Sequence, residues 1–109
     1  MTNSKQKGKR GELELAHYLA QWGYDTRRGQ QYCGANGDAD VIGIPGLHIE
    51  CKRTNSLRIH EALSQSKRDA LPFEVPTVMH RRDNDEWLVT LPLKYFIEYF
   101  KSATEGRDE

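Results

Sequence analysis

Cysteine is scarce in this chain. There are two, Cys33 and Cys51, and their spacing fits no zinc-ligand pattern. A disulfide-stapled scaffold is excluded, and a reduced, cytoplasmic setting is expected, whether in a bacterial, archaeal or phage-infected cell. No apolar run approaches the length of a bilayer span, and the lysines near the N-terminus precede no apolar signal-type stretch. A soluble protein without a membrane partner follows. Neither charge sign is in excess: charged residues make up 29% of the chain, yet the formal net charge is zero. Bulk charge therefore does not advertise a nucleic-acid binder. There is no glycine-rich phosphate loop and no serine in a nucleophile-elbow context, and His17, His48, His60 and His80 share no ligand spacing. No internal repeat or interdomain linker is evident. At 109 residues, one domain over 1–101 is expected, with 102–109 a disordered tail.

What is present is a periodic pattern. Residues 1–7 read as frayed. From about Lys9 to Trp22, Leu13, Leu15, Ala16, Leu19, Ala20 and Trp22 share one helical face, and Glu14, His17 and Gln21 the opposite one. Gly23 fits a C-cap. "YDTRR" suits a short strand and "GQQYCGANGD", 29–38, a loop. "DADVIGIPGLHIECKR" predicts a β-hairpin, Asp40–Ile44 and Leu47–Arg53, turning at Pro45-Gly46. A second helix is expected over Leu57–Ala70, with Ile59, Ala62, Leu63, Ser66 and Ala70 as its core stripe. Strands follow over Thr77–His80 and Trp87–Leu91. A last helix starts at Pro92, with Leu93, Phe96, Ile97 and Phe100 along one side. The order α-β-β-α-β-β-α describes a small α/β protein, a mixed sheet flanked by helices.

The hairpin carries the chemistry. With its turn centred on Pro45, Asp40 faces Glu50 across the pair, where Cβ atoms lie about 4.5–5.5 Å apart. Lys52 shares the face of Glu50 by alternation, and Cys51 points the other way into the core. Opposed carboxylates repel, and a divalent cation between them reverses the sign; hard oxygen donors suit Mg²⁺. A bland alternative makes Glu50 and Lys52 a surface pair of little energetic weight. Against it stand the apolar surroundings, "VIGI" and "LHI", and Glu12. That glutamate lies on the apolar face of the first helix, where a carboxylate must be paired, protonated or metal-bound, unless it bends out to water. Gly8, four residues earlier, leaves room on the same face. Lys7, Lys9, Arg10, Arg27, Arg28, Arg53 and Arg58 are candidate phosphate contacts. Gln65 is a candidate supporting residue. His48 has the strand parity of Glu50 but reads as an ordinary strand residue. Trp22, Phe96 and Phe100 read as core.

"KGKRGELELAHYLAQWGYDTRR", followed by "DADVIGI" and "HIECKR", resembles the archaeal-type Holliday junction resolvases and related phage nucleases of the PD-(D/E)xK restriction-endonuclease-like superfamily. The resemblance spans about Lys7 to Leu91. It implies a metal-dependent DNA endonuclease using Mg²⁺, with Mn²⁺ as a substitute, and a homodimer acting on branched DNA. Glu12, Asp40 and Glu50 would be the metal-site carboxylates and Lys52 the motif lysine. Ala39 stands where the superfamily's name has proline, and Asp38 is a second candidate for the first aspartate. Relatives of this fold also cut flaps, nicks or duplexes, and a non-catalytic DNA-binding module of the same fold is the remaining alternative.

Overall fold

The computed structural model describes residues 4–29 and 39–105. The elements are α1 (Ser4–Ala20), β1 (Arg27–Arg28), β2 (Val41–Ile42), β3 (Leu47–Arg53), α2 (Ile59–Asp69), β4 (Val75–Arg81), β5 (Leu88–Thr90) and α3 (Leu93–Thr104). The strands form one sheet in the order β1-β2-β3-β4-β5. All neighbours are antiparallel except β3 and β4, which run parallel. A parallel neighbour requires a crossover, and α2 supplies it. The small mixed α/β class is the one expected from the sequence.

The hairpin turns where Pro45 and Gly46 stand. Leu47 N–H donates to the Ile44 carbonyl at 3.3 Å, and Gly46 has φ +86°. Proline at the second position and a positive φ at the third describe a type II turn, which only glycine enters without strain. The turn fixes the register with Val41 opposite Ile49, and Asp40 N–H donates to the Ile49 carbonyl at 2.9 Å. β2 is shorter than the strand expected from Asp40 to Ile44. Gly43, at φ +120°, passes too close to the Asp25 carbonyl for any Cβ, which ends the ladder.

α1 packs on the Ile49 and Cys51 face of the sheet. Leu15, Ala16 and Leu19 form a core with Val41, Ile49 and Cys51. Gly11 permits the approach, since a Cβ there would lie 2.8 Å from Arg53 Cβ. α2 covers the other face. Ala62 and Ser66 are its buried residues. The Ser66 hydroxyl donates to the His48 carbonyl at 2.8 Å and accepts from the Thr77 N–H at 3.1 Å, so one side chain ties α2 to β3 and β4.

Several expectations are corrected. α1 begins at Ser4, so residues 4–7 are helical rather than frayed; lysine, glutamine and arginine are good helix formers. The α1 core stripe is narrower than its periodicity suggested. Leu13 and Ala20 are exposed, and Trp22 is 69% exposed, touching Tyr18 edge-to-face. α3 continues through Thr104, so residues 102–104 are helix, not tail. Its apolar stripe is not core: α3 has no buried residue, and Leu93 and Phe100 are 71% and 57% exposed. Periodicity shows that a helix has a face to bury, but not that the same chain covers it. Gln30, Gln31, Tyr32, Cys33 and Asp38 of the expected loop, and 106–109 of the expected tail, lie outside the described residues.

Ser66→Ala removes the acceptor of a buried N–H. We expect a loss of about 1–3 kcal/mol, read as a lower urea midpoint at unchanged m-value. A change below about 0.5 kcal/mol would mean that Thr77 finds another acceptor.

Candidate active site

The Val41–Ile49 pairing sets Asp40 opposite Glu50 at the open end of the hairpin. Asp40 is held there by the neighbouring strand, β3: its Oδ2 accepts the Cys51 N–H at 2.9 Å. Glu50 is 3% exposed, and its side chain also hydrogen-bonds Asp40. Glu12 reaches the same place from α1. A single cavity of about 340 Å³ is lined by Gly8, Glu12, Asp40, Glu50, Lys52 and Gln65 among others. The structure thus brings together the four residues expected to carry the chemistry, the expected supporting glutamine, and the glycine expected to leave room beside Glu12.

The electrostatics follow from burial. Desolvation, then the charge of Asp40 and a hydrogen bond that the protonated carboxyl donates to it, push Glu50 up to about 8, against an ordinary value of 4.5; Lys52 pulls in the opposite direction. The Glu12 carboxyl is also raised, chiefly by burial, with Arg28 opposing. Two facing carboxylates cannot both ionise cheaply in such a setting, so one keeps a proton. The donor set is hard oxygen, and Glu50 Oε2 is buried without a hydrogen-bond partner among the described residues. These residues fit a divalent cation. Glu12, Asp40 and Glu50 are not, however, drawn into a single tight ligand triangle. Among the described residues, the group whose donor atoms all lie within 4.8 Å of one another is His48, Glu50 and Asp69.

The expected phosphate contacts divide into several kinds. Arg28 Nε donates to Glu12 Oε1 at 2.7 Å, so this arginine braces a site carboxylate rather than presenting itself to a backbone. Arg53 is bound by Glu14 at 3.3 Å and by Asp83, and Arg81 also donates to Glu14 at 2.6 Å. Glu14, read from the helical wheel as solvent-facing, is the hub of that pair. Arg27 and Arg58 lie on the surface beside Asp25 and Glu61. Lys9 and Arg10 are exposed on α1. For Lys7 only its place on the α1 backbone is described. Cys51 is buried in the core as expected, and burial raises its thiol pKa. His48, read as an ordinary strand residue, is 3% exposed and lies 3.8 Å from Glu50. Its parity with Glu50 was the available signal; its α2 neighbours were not visible in the sequence.

No family model matches the chain, nor does any curated protein. Among solved structures, the chain is similar to the Holliday junction resolvase of the hyperthermophilic archaeon Archaeoglobus fulgidus, with a TM-score of 0.53 and 19% identity over 78% of this chain and 72% of the resolvase. The likeness is one of fold: a five-stranded mixed sheet with three helices. No described helix is long and apolar enough to cross a membrane.

The Glu50 shift makes a signed prediction for the metal-free protein. A carboxyl whose folded pKa lies above its unfolded value contributes most below about pH 4.5, and that contribution is lost as pH rises toward 8. In EDTA, the wild-type Tm should fall between pH 5 and 8.5. Glu50→Gln should flatten that profile and be the more stable protein at pH 8.5, by an amount on the order of a few kcal/mol. Parallel profiles for the two proteins would show that Glu50 ionises normally in the fold.

Proposed function

We propose that this protein is a Mg²⁺-dependent DNA endonuclease of the Holliday junction resolvase type. The observation that carries the reading is the hairpin register: it sets Asp40 opposite Glu50, beside Lys52 and beneath Glu12, on a fold shared with a resolvase. Asp40 and Glu50 hold the ion, with Glu12 completing the oxygen set. When bound, the ion supplies a Lewis acid for the scissile phosphate and lowers the pKa of a water. Lys52 orients the attacking water or neutralises charge developing on a phosphoryl oxygen. Arg28 fixes Glu12 for its part. Lys9 and Arg10, exposed on the helix that carries Glu12, supply backbone attraction that weakens with salt.

The reading includes a two-fold dimer, which suits a symmetric four-way junction. Leu88, Val89, Leu93, Phe96, Ile97 and Phe100 are all about half exposed or more, and β5 is an edge strand. Phe96 and Phe100 stack at 5.9 Å along α3. An apolar surface of this kind, uncovered by any described residue, supports an interface between copies.

Two experiments test this reading. With Mg²⁺ and a labelled four-way junction beside matched duplex and single strand, paired symmetric cuts confined to the junction are expected. Glu50→Ala and Lys52→Ala should each abolish them while leaving the circular dichroism unchanged. Cutting of every substrate would leave a nuclease acting on flaps, nicks or duplexes, and Mg²⁺-indifferent binding without cutting would leave a non-catalytic DNA-binding module. In sedimentation equilibrium the wild type should have the mass of two chains, and Phe96→Ser/Phe100→Ser that of one folded chain. A monomeric wild type would remove the dimer from the reading.

A further inference from the structure

Glu50 has a second set of neighbours, on the side away from Lys52. His48 precedes it by two residues and shares its face of β3. Asp69 is the last residue of α2, the helix that covers that face. One donor atom from each of His48, Glu50 and Asp69 lies within 4.8 Å of the other two. His48 and Glu50 are both 3% exposed, and Asp69 is half-buried.

The hydrogen bonding of His48 fixes which nitrogen it offers. Nδ1 lies 3.2 Å from Glu74 Oε1. A carboxylate accepts and does not donate, so Nδ1 carries a proton, and in the neutral ring Nε2 then presents a lone pair. Glu74 is itself anchored, accepting the Leu71 N–H at 2.8 Å. His48 Nε2 has no hydrogen-bond partner among the described residues, nor has Glu50 Oε2. Nε2 lies 3.8 Å from Glu50 Oε1. A buried imidazole with one nitrogen tied to a carboxylate and the other unpartnered beside a second carboxylate is the arrangement of a metal-ligating histidine with its outer partner.

We propose that His48 Nε2, Glu50 and Asp69 form a second divalent-cation site behind the acidic cavity, with Glu74 holding the histidine in its ligating tautomer, and that this site takes an imidazole-accepting ion such as Zn²⁺ or Mn²⁺ rather than Mg²⁺. It shares Glu50 with the nuclease reading, but His48 and Asp69 belong to it alone and its test involves no DNA. The geometry is within reach. Three donors at that outer separation have a centre about 2.8 Å from each, and shifts below about 1 Å bring them to Zn²⁺ bonding distances of roughly 2.0–2.2 Å. Access is available to two of the donors: His48 and Asp69, with Glu74, line a cavity of about 560 Å³ that Glu12, Asp40, Glu50 and Lys52 do not line. One nitrogen and two carboxylates form a borderline donor set, favouring Zn²⁺ or Mn²⁺ over Mg²⁺, which prefers oxygen and water. An ion there would hold Glu50 ionised from behind, so the carboxylate shared with the outer cavity would be fixed by two charges instead of one.

The test is calorimetric titration of the full-length, metal-free protein with Zn²⁺, with Co²⁺ absorption as an independent readout. Wild type should bind one Zn²⁺ per chain, undisplaced by millimolar Mg²⁺, and Co²⁺ should give a visible d–d band. His48→Gln and Asp69→Asn should each weaken Zn²⁺ about tenfold or more and abolish the band, while Glu61→Gln, an exposed carboxylate outside both acidic sites, should leave both unchanged. Asp69→Asn alters a half-buried side chain, so it remains informative if His48→Gln fails to fold. Absence of a stoichiometric Zn²⁺ site, or binding that survives the folded variants, would overturn the proposal.

Discussion

Everything at the candidate site depends on how Glu50 is buried. It lies in the middle strand of a five-stranded sheet, with Asp40 across the hairpin and α2 laid over its face. Little water is left around it to solvate a charge, and Asp40 faces it, so its carboxyl is driven up to about 8. A cation is the partner that the proposed function gives Glu50. A buried carboxylate without one is a persistent cost, and buried sites that carry such a cost are where function is usually found.

The remainder of the architecture serves that placement. The Pro45-Gly46 turn fixes the register and hence the Asp40–Glu50 opposition. Gly11 lets α1 approach β3, which carries Glu12 to the cavity mouth, where Arg28 catches it. Ser66 links α2 to both central strands through two hydrogen bonds and holds the covering helix, with Asp69 at its end, over Glu50. Arg53 and Arg81 converge on Glu14 and lock α1 to the sheet from the other side. These polar contacts are local, but together they fix three elements around one carboxylate. The exposed stripe of α3 lies outside this arrangement, consistent with a surface for another chain rather than a prop for the site.

Much of this was legible beforehand because it follows from local rules. Period-two alternation placed Glu50 and Lys52 on one face and Cys51 on the other. The turn chemistry of Pro-Gly gave the register. The 3.6-residue period put Glu12 on the apolar side of α1. The same reasoning failed wherever the answer depended on which surfaces meet. The stripe of Leu93, Phe96 and Phe100 announces an amphipathic helix and is silent about its partner. Arg28 looked like a phosphate contact because nothing local says that Glu12, sixteen residues away, will take it.

By itself the sequence determined the element order from the hairpin onward, the hairpin register and the inward direction of Glu12, since these rest on backbone geometry and side-chain periodicity within short stretches. Only the tertiary structure decided that Glu14 would be gripped by two arginines, that α3 would lie uncovered, and that Asp69 and Glu74 would meet His48. Those outcomes depend on the packing of α2 across the sheet and on contacts between residues far apart in the chain. Spacing along the chain carries no information about such distances.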